Sequence, residues 1–148
     1  MPYHEHILLA EGDAQFAFVI QLALIRARIA NPVHAVSSCP ELVRYLSGED
    51  LYADRKAYPL PGGLILGAGV ACLHGLKVLR WIRQRSQFQH LRVLFLFGPE
   101  FAGQVQAARQ LEAECYPLWP VDFERLVHLA EQLREQWRQP QAWGEEAA

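Results

Sequence analysis

Three short apolar runs limit what this chain can fold into more than any other feature of its sequence. They span residues 7–10 (ILLA), 64–66 (LIL) and 93–97 (VLFLF), and a glycine follows each run within two residues. None of them alternates with polar residues, so both faces of each strand are expected to be buried. Continuous apolar strands of this kind are typical of a parallel sheet that is covered by helices on both sides.

Two further strands and five helices fill the intervals between these runs. The weaker strands are predicted at residues 33–36 and 115–119, and Pro117 assigns the second to a sheet edge because proline has no amide donor. The helices are predicted at about residues 14–29, 38–47, 76–85, 100–111 and 123–138. Strands and helices that alternate in this way predict an α/β fold with a doubly wound sheet and right-handed crossovers.

Capping residues support two of the predicted helix starts. Ser38 and Glu41 have the spacing of a capping box, and Asp122 is a favourable N-cap after Pro120. Residues 48–61 form a connection rich in charge, tyrosine and proline, and it is longer than such loops usually are. The sequence therefore assigns regular structure to most of the chain and none to this connection.

The composition is that of one globular domain. The chain has 148 residues, of which 51% are apolar and 20% charged, and its formal net charge is -2. We expect one domain over residues 1–138 and a mobile polar tail over residues 139–148. The slightly acidic charge disfavours nucleic-acid binding, and no apolar run is long enough to cross a membrane. Three cysteines without a C-x-x-C pair, and no evident signal peptide, predict a reduced, cytoplasmic chain.

The usual catalytic and cofactor-binding motifs are absent from the sequence. No Walker motif, no G-x-G-x-x-G after a strand and no G-x-S-x-G elbow occurs. Cys72 and His74 are two residues apart in a predicted loop, which is a weak basis for catalysis, and an idle thiol is the simpler interpretation. His4 and His6 lack a third metal ligand nearby. We therefore predict no catalytic residue, no metal site and no cofactor.

The order of several segments resembles the receiver domains of two-component response regulators. These segments are ILLAEGD, PVHAV, YLSGEDLYADRKAYPLPGGLIL, HGLKVLRWIRQ, LRVLFLF and PLWPVDFERLVHLAEQL. The long loop and the third-helix segment are most similar to the single-domain, phytochrome-associated branch, and the resemblance covers about residues 6–137. It implies a flavodoxin-like (βα)5 fold whose parallel strands follow the order 2-1-3-4-5.

The resemblance also implies which positions carry the chemistry of that family. The aspartate that the family phosphorylates, at the end of the third strand, corresponds to Gly67. The acidic pair that binds Mg²⁺ after the first strand corresponds to Glu11 and Gly12, so its second acid is missing, and Asp13 follows. Without a carboxylate at position 67 there is no nucleophile, and without the second acid a metal loses a charged ligand.

The remaining positions of the family's switch differ as well. Phe97 replaces the threonine or serine at the end of the fourth strand, and Trp119 replaces the lysine before the retained Pro120. Trp119 cannot supply the ammonium group that neutralises an acyl phosphate. Tyr116 keeps the family's aromatic switch position. The resemblance therefore implies a pseudo-receiver, whose degenerate phosphoacceptor site comprises Glu11, Gly12, Asp13, Gly67, Phe97, Trp119 and Pro120.

The substitutions change the volume of this site in both directions. Gly12 and Gly67 remove volume, whereas Phe97 and Trp119 add it. We hypothesise that the two aromatic rings fold over the vacated site as an apolar plug, with about 1.5 to 3 kcal/mol of burial free energy each. Such a plug would hold the signalling face in one conformation, because Tyr116 could no longer respond to phosphorylation.

These features predict a protein that signals by protein–protein contact in a two-component or phosphorelay pathway without accepting phosphate. Its partner would be a histidine kinase, a photoreceptor or a response regulator. Two other hypotheses stay open. In one, the remodelled pocket is a sensor that binds an apolar small molecule against Phe97 and Trp119. In the other, Glu11 or Asp13 serves as the phosphoacceptor in place of the missing aspartate.

Two surfaces are candidates for the contact with a partner. On the first helix, Phe18, Leu22, Ile25 and Ile29 recur at helical spacing, nearly opposite the stripe that should face the sheet. An apolar outer stripe suggests an interface, unless the neighbouring fifth helix covers part of it. The second surface is formed by the fourth helix, the edge strand and the fifth helix. Related receivers dimerise there, so we expect a homodimer, although its apolar residues are equally consistent with ordinary core. Its residues are Phe101, Val105, Tyr116, Leu118, Phe123 and Trp137.

Overall fold

Five parallel strands form the centre of the computed structural model, which describes residues 6–67, 75–117 and 122–138. The strands are β1 (Ile7–Ala10), β2 (Val33–Val36), β3 (Gly63–Leu66), β4 (Arg92–Phe97) and β5 (Ala113–Pro117). Their order in the sheet is β2-β1-β3-β4-β5, which confirms the predicted topology and the position of β5 at an edge. β5 begins two residues earlier than predicted, at Ala113, and its register pairs Pro117 with Phe97, the last residue of β4.

Five α-helices of the described chain connect and cover the strands. They are α1 (Ala14–Arg26), α2 (Cys39–Ser47), α3 (Leu76–Arg83), α4 (Val105–Gln110) and α5 (Phe123–Arg138). Three short 3-10 helices, at Asp50–Ala53, Ser86–Phe88 and Pro99–Gln104, lie in the connections. Among the described residues, no helix combines the length and the apolar character that a membrane span needs.

Both faces of the sheet are buried because successive residues of a strand point to opposite sides. Leu8 and Phe95 belong to the apolar core that the strands share with α2, α3 and α4. Leu9 and Ile65 belong to a second core, which the strands share with α1 and α5. The apolar runs are uninterrupted because each of their residues packs against one of these two helical layers.

Side-chain caps are found at the two helix starts predicted from the sequence. Ser38 Oγ accepts the backbone N–H of Glu41 at 3.2 Å, and Asp122 Oδ1 accepts that of Glu124 at 3.0 Å. The reciprocal bond of the capping box is shifted by one residue, since the Glu41 carboxylate accepts the N–H of Ser37 at 2.9 Å. The caps therefore confirm both predicted helix starts to within a residue.

Three helix boundaries differ from the prediction by more than one residue, and one of them is the end of α3, at Arg83 instead of residue 85. α1 ends at Arg26 instead of residue 29, because Arg28 adopts a left-handed backbone conformation with φ 65°. The helix predicted at residues 100–111 is α-helical only over Val105–Gln110, and a 3-10 helix precedes it. Gly103 lies in that 3-10 segment, and its low helix propensity explains why the α-helix starts late.

Residues 48–61, which we name the tyrosine loop, are held mainly by side-chain hydrogen bonds to backbone carbonyls. The Arg55 guanidinium donates to the carbonyl oxygen of Tyr45 at 2.9 Å and to that of Tyr58 at 3.1 Å. The Tyr45 hydroxyl donates to the carbonyl oxygen of Pro59 at 2.9 Å. The connection that the sequence left without assigned structure is thus ordered with a single 3-10 turn, Asp50–Ala53.

Candidate functional site

The carboxyl ends of β1 and β3 bring Glu11 and Gly67 together. Both residues directly follow their strands, and β1 and β3 are neighbours in the sheet. The backbone N–H of Gly67 donates to the carbonyl oxygen of Ala10 at 2.8 Å, and that of Glu11 donates to Val36 at 3.0 Å. Ligands of open parallel sheets bind at this edge, so the two residues lie where the resemblance placed the phosphoacceptor site.

The Glu11 side chain fills the space beside Gly67. A Cβ atom added to Gly67 would overlap Glu11 Oε1 and lie 2.7 Å from Glu11 Cδ, which is closer than real Cβ atoms approach a neighbour. Glu11 is 3% exposed and is the one buried charged side chain of the described residues. This arrangement of Glu11 and Gly67 was not predicted from the sequence. The sequence feature that could have indicated it is a glycine after β3, Gly67, combined with a long acidic residue after the neighbouring strand β1, Glu11.

Hydrogen bonds connect Glu11 to the start of α1. Glu11 Oε2 accepts the backbone N–H of Asp13 at 2.9 Å. Asp13 Oδ1 in turn accepts the N–H groups of Gln15 and Phe16 at 2.9 and 3.2 Å, and so caps α1. Both acids that follow β1 are therefore engaged with local backbone.

Gly12, between these two acids, is exposed, and a Cβ atom there would lie 3.3 Å from the carbonyl oxygen of Ser37. Within the described ranges, no group of three or more histidine, cysteine, aspartate or glutamate side chains is placed to hold a metal ion. The two acids that follow β1 are thus Glu11, which is buried, and Asp13, which is exposed and caps a helix.

Phe97, at the end of β4, is half-buried and packs against the core beneath α2, α3 and α4. Its ring centroid lies 6.0 Å from that of Phe101, whose ring stacks on Phe95 at 5.0 Å. Trp119 and Pro120 lie outside the described residues, so the plug and the hypothesis of a small-molecule pocket both stay predictions.

Two residues predicted at the dimer surface belong to the core instead. Phe101 is fully buried, and Trp137 is 9% exposed, so neither side chain is available to a partner. The Trp137 ring packs against the backbone of Gly63, where a Cβ atom would lie 2.6 Å from Cε3 of the indole. Assigning these two residues to an interface was wrong, because their long apolar side chains fill the space between helix and sheet.

The other residues of that surface divide into three groups. Val105 and Phe123 are half-buried against the two cores. Tyr116 is half-buried as well and lines a cavity of about 340 Å³ between β5 and α5, together with Arg125 and Leu129. Leu118 lies outside the described residues, as do Cys72, His74, His4 and the predicted tail at residues 139–148.

Three of the four residues predicted for the outward stripe lie in α1 and are exposed, whereas Ile29 lies beyond the end of α1 and is half-buried against the core. Phe18, Leu22 and Ile25 are 61%, 39% and 69% exposed, whereas Ile20 and Leu24 on the opposite side are buried. α5 packs beside α1 without covering these three side chains. The stripe is therefore an accessible apolar surface, and its use as an interface stays a prediction.

Comparisons with known proteins identify the fold. No family model and no curated protein matches the sequence. Among solved structures, a response regulator in red light signaling of R. palustris is 26% identical and superposes with a TM-score of 0.80, over 93% of this chain and 96% of the other. The phosphorylated cyanobacterial phytochrome response regulator RcpA is 22% identical, with a TM-score of 0.77 over 92% and 95%.

The Mn²⁺-bound form of the response regulator Rcp1 is a third neighbour, 19% identical, with a TM-score of 0.75 over 93% and 97% of the two chains. The structural neighbours are thus response regulator receiver domains, and they include phytochrome response regulators. The chain has the flavodoxin-like receiver fold that the resemblance implied.

Proposed function

We propose that this chain is a receiver-like signalling protein that accepts no phosphoryl group and acts by protein–protein contact. One observation carries the proposal: the end of β3 has no side chain at Gly67, and the buried Glu11 carboxylate occupies the adjoining space. Position 67 therefore has no carboxylate that could be phosphorylated, and the Glu11 side chain occupies the space that one would need. The likeness to response regulators supports the signalling class.

The local chemistry also disfavours the two acids as substitute phosphoacceptors. A nucleophile must be reachable by the phosphoryl donor, whereas Glu11 is 3% exposed. Asp13 is exposed, but its carboxylate is engaged with the first backbone N–H groups of α1. Gly12 supplies no second acid beside Glu11, which weakens the metal site that such a transfer requires.

The apolar stripe on α1 is the surface that best fits contact with a partner. It is formed by Phe18, Leu22 and Ile25, which are all exposed. Burying such residues in an interface gains free energy, because apolar area leaves water. We propose that a histidine kinase, a photoreceptor or a response regulator docks here, and that the chain forms a homodimer. The free, buried thiols of Cys39 and Cys115 fit a cytoplasmic setting.

The phosphorylation half of the proposal is tested with acetyl phosphate. We expect the wild-type chain, incubated with acetyl phosphate and Mg²⁺, to keep its unmodified intact mass. The cyanobacterial response regulator RcpA, whose structure is that of the phosphorylated form, serves as the control for whether the conditions phosphorylate a receiver. An adduct that maps to Glu11 or Asp13 at substantial occupancy would refute the proposal.

The contact half of the proposal is tested by changing the stripe. The double variant Leu22→Arg, Ile25→Lys should fold normally, because both side chains are exposed. It should lose self-association in light scattering and partner capture from the native host. Gln84→Lys together with Gln89→Lys, at exposed positions that follow α3, adds the same two positive charges away from the stripe and is the matched control. Unchanged oligomeric state and unchanged capture in the double variant would exclude the stripe as the interface.

A further inference from the structure

Glu11 connects two parts of the molecule that the sequence places far apart. One side of its carboxylate adjoins Gly67 at the end of β3, since a Cβ atom there would overlap Oε1. Its other oxygen, Oε2, accepts the N–H of Asp13 at 2.9 Å. Asp13 then caps α1. A single buried side chain thus spans the distance from the end of β3 to the first turn of α1.

The backbone around this side chain is held on both sides. Glu11 N–H donates to Val36 on β2, and Gly67 N–H donates to Ala10 on β1, at 3.0 and 2.8 Å. These bonds prevent relief of crowding by a backbone shift, so the Glu11 side chain would itself have to rotate away. Rotation would break its bond to the Asp13 amide and leave that donor to find another partner.

We propose that Glu11 is a positioning residue. Its side chain, which follows β1, occupies the volume that a side chain at position 67 after β3 would fill, and it thereby fixes the start of α1, the helix that carries the apolar stripe. Phe18 follows the capped first turn of α1 directly, so the position of the cap sets where the stripe begins. The claim about the stripe as a docking surface rests on the proposed function. The claim that Glu11 and Gly67 depend on each other does not.

A double-mutant cycle tests the dependence of the two residues. Gly67→Ala should lower the folding equilibrium constant about tenfold or more, because the new methyl group displaces Glu11. In the Glu11→Ala background, the same Gly67→Ala change should be neutral or stabilising, because the methyl group then enters vacated space. The coupling between the two sites is measured by urea unfolding.

Gly98→Ala is the matched control for this cycle. Gly98 follows β4 as Gly67 follows β3, and among the described residues a Cβ atom there would meet only the Glu100 carboxylate, at 3.3 Å. Its effect on the folding equilibrium constant should stay within about threefold. If Gly67→Ala does not fold, recovery of folding in the double variant supports the proposal. Failure of the double variant, while Glu11→Ala alone folds, overturns it.

Amide hydrogen exchange tests the link to α1. The N–H of Asp13 and those of Gln15 and Phe16 should exchange about tenfold faster in Glu11→Ala and in Gly67→Ala. Glu11→Gln should keep the protection, since its amide oxygen can accept the same bond. Additive mutational effects, or unchanged exchange in Glu11→Ala, would overturn the inference. Neither measurement involves a partner or phosphate, so failure of the proposed function is detected separately.

Discussion

The tyrosine loop and the acceptor end of the sheet are stabilised by different kinds of interaction. By the acceptor end we mean Glu11, Gly67, Phe97 and Phe101, at the carboxyl ends of β1, β3 and β4. Both regions keep irregular chain in place, the loop against α2 and the acceptor end at the carboxyl edge of the sheet. The loop does so by donating hydrogen bonds to backbone carbonyls, and the acceptor end does so mainly by close packing.

The difference lies in what each region tolerates. In the tyrosine loop, Arg55 donates to the carbonyl oxygens of Tyr45, Leu46 and Tyr58, so the number of donors decides its stability. At the acceptor end, volume decides, because the Glu11 side chain occupies the space that a side chain at position 67 would need. Substitutions that change volume should therefore act most strongly at the acceptor end, and those that remove donors most strongly in the loop.

Phe101→Ala should have the largest effect. Phe101 is fully buried and stacks on Phe95, so its loss removes apolar contacts and leaves a cavity. We expect a loss of about 4 kcal/mol in the free energy of unfolding, measured by urea denaturation. Phe101→Leu, which keeps most of the volume, should cost about 1.5 kcal/mol. Equal costs for the two variants would show that packing volume does not control this region.

Arg55→Met should destabilise the tyrosine loop by about 2 kcal/mol, because three carbonyl oxygens lose a charged donor while the apolar stem is retained. Lys56→Met removes the same charge from the neighbouring, exposed position and should change the free energy of unfolding by less than about 0.5 kcal/mol. Urea unfolding compares the two. Similar losses would mean that net charge, and not hydrogen bonding, stabilises the loop.

Phe97→Thr introduces the side chain that the receiver family has at this position. The half-buried ring packs near Phe101, so we expect a loss of about 1.5 kcal/mol from reduced apolar burial. Acetyl phosphate should still leave the intact mass unchanged, because position 67 still lacks a carboxylate. Phe97→Leu should lose less than half as much stability. Phosphorylation gained by Phe97→Thr alone would contradict the role assigned to Gly67.

Tyr52→Phe should cost about 1 kcal/mol at neutral pH, because its hydroxyl donates to Glu41 Oε2 at 2.7 Å. That bond raises the pKa of Tyr52 from 10.0 to about 12. The unfolded chain ionises first, so the stability from this tyrosine is complete below pH 10 and is lost as the pH rises towards 12. Unfolding free energies measured at pH 8 and pH 11 should therefore fall more for the wild type than for Tyr52→Phe. Parallel pH profiles would exclude this bond as the cause.

The fold could be predicted because its information is local. Continuous apolar runs report burial on both faces of a strand, and Ser38 and Asp122 cap their helices through residues two or three positions away. The end of α1 was harder to predict, because no sequence pattern indicates the left-handed backbone conformation of Arg28. The type of each element could thus be predicted from periodicity, whereas its first and last residues could be predicted less often.

The interface assignments show why surface residues were harder to predict. Phe18 and Ile25 are exposed, whereas Phe101 and Trp137 are buried, although all four are large and apolar. Helical spacing separated the two sides of α1, because the helix is regular and one of its sides faces the sheet. It could not place Trp137, whose burial depends on the missing side chain of Gly63 on a distant strand.

By itself, the sequence determined the α/β class, the strands and helices and the lack of an acid at position 67. Each of these features depends only on residues that are close together in the chain. Only the tertiary structure decided that Glu11 fills the space beside Gly67. These residues are far apart in the chain and meet only when β1 and β3 pair as neighbours. Which side chain occupies a shared volume depends on that pairing, and no local pattern encodes it.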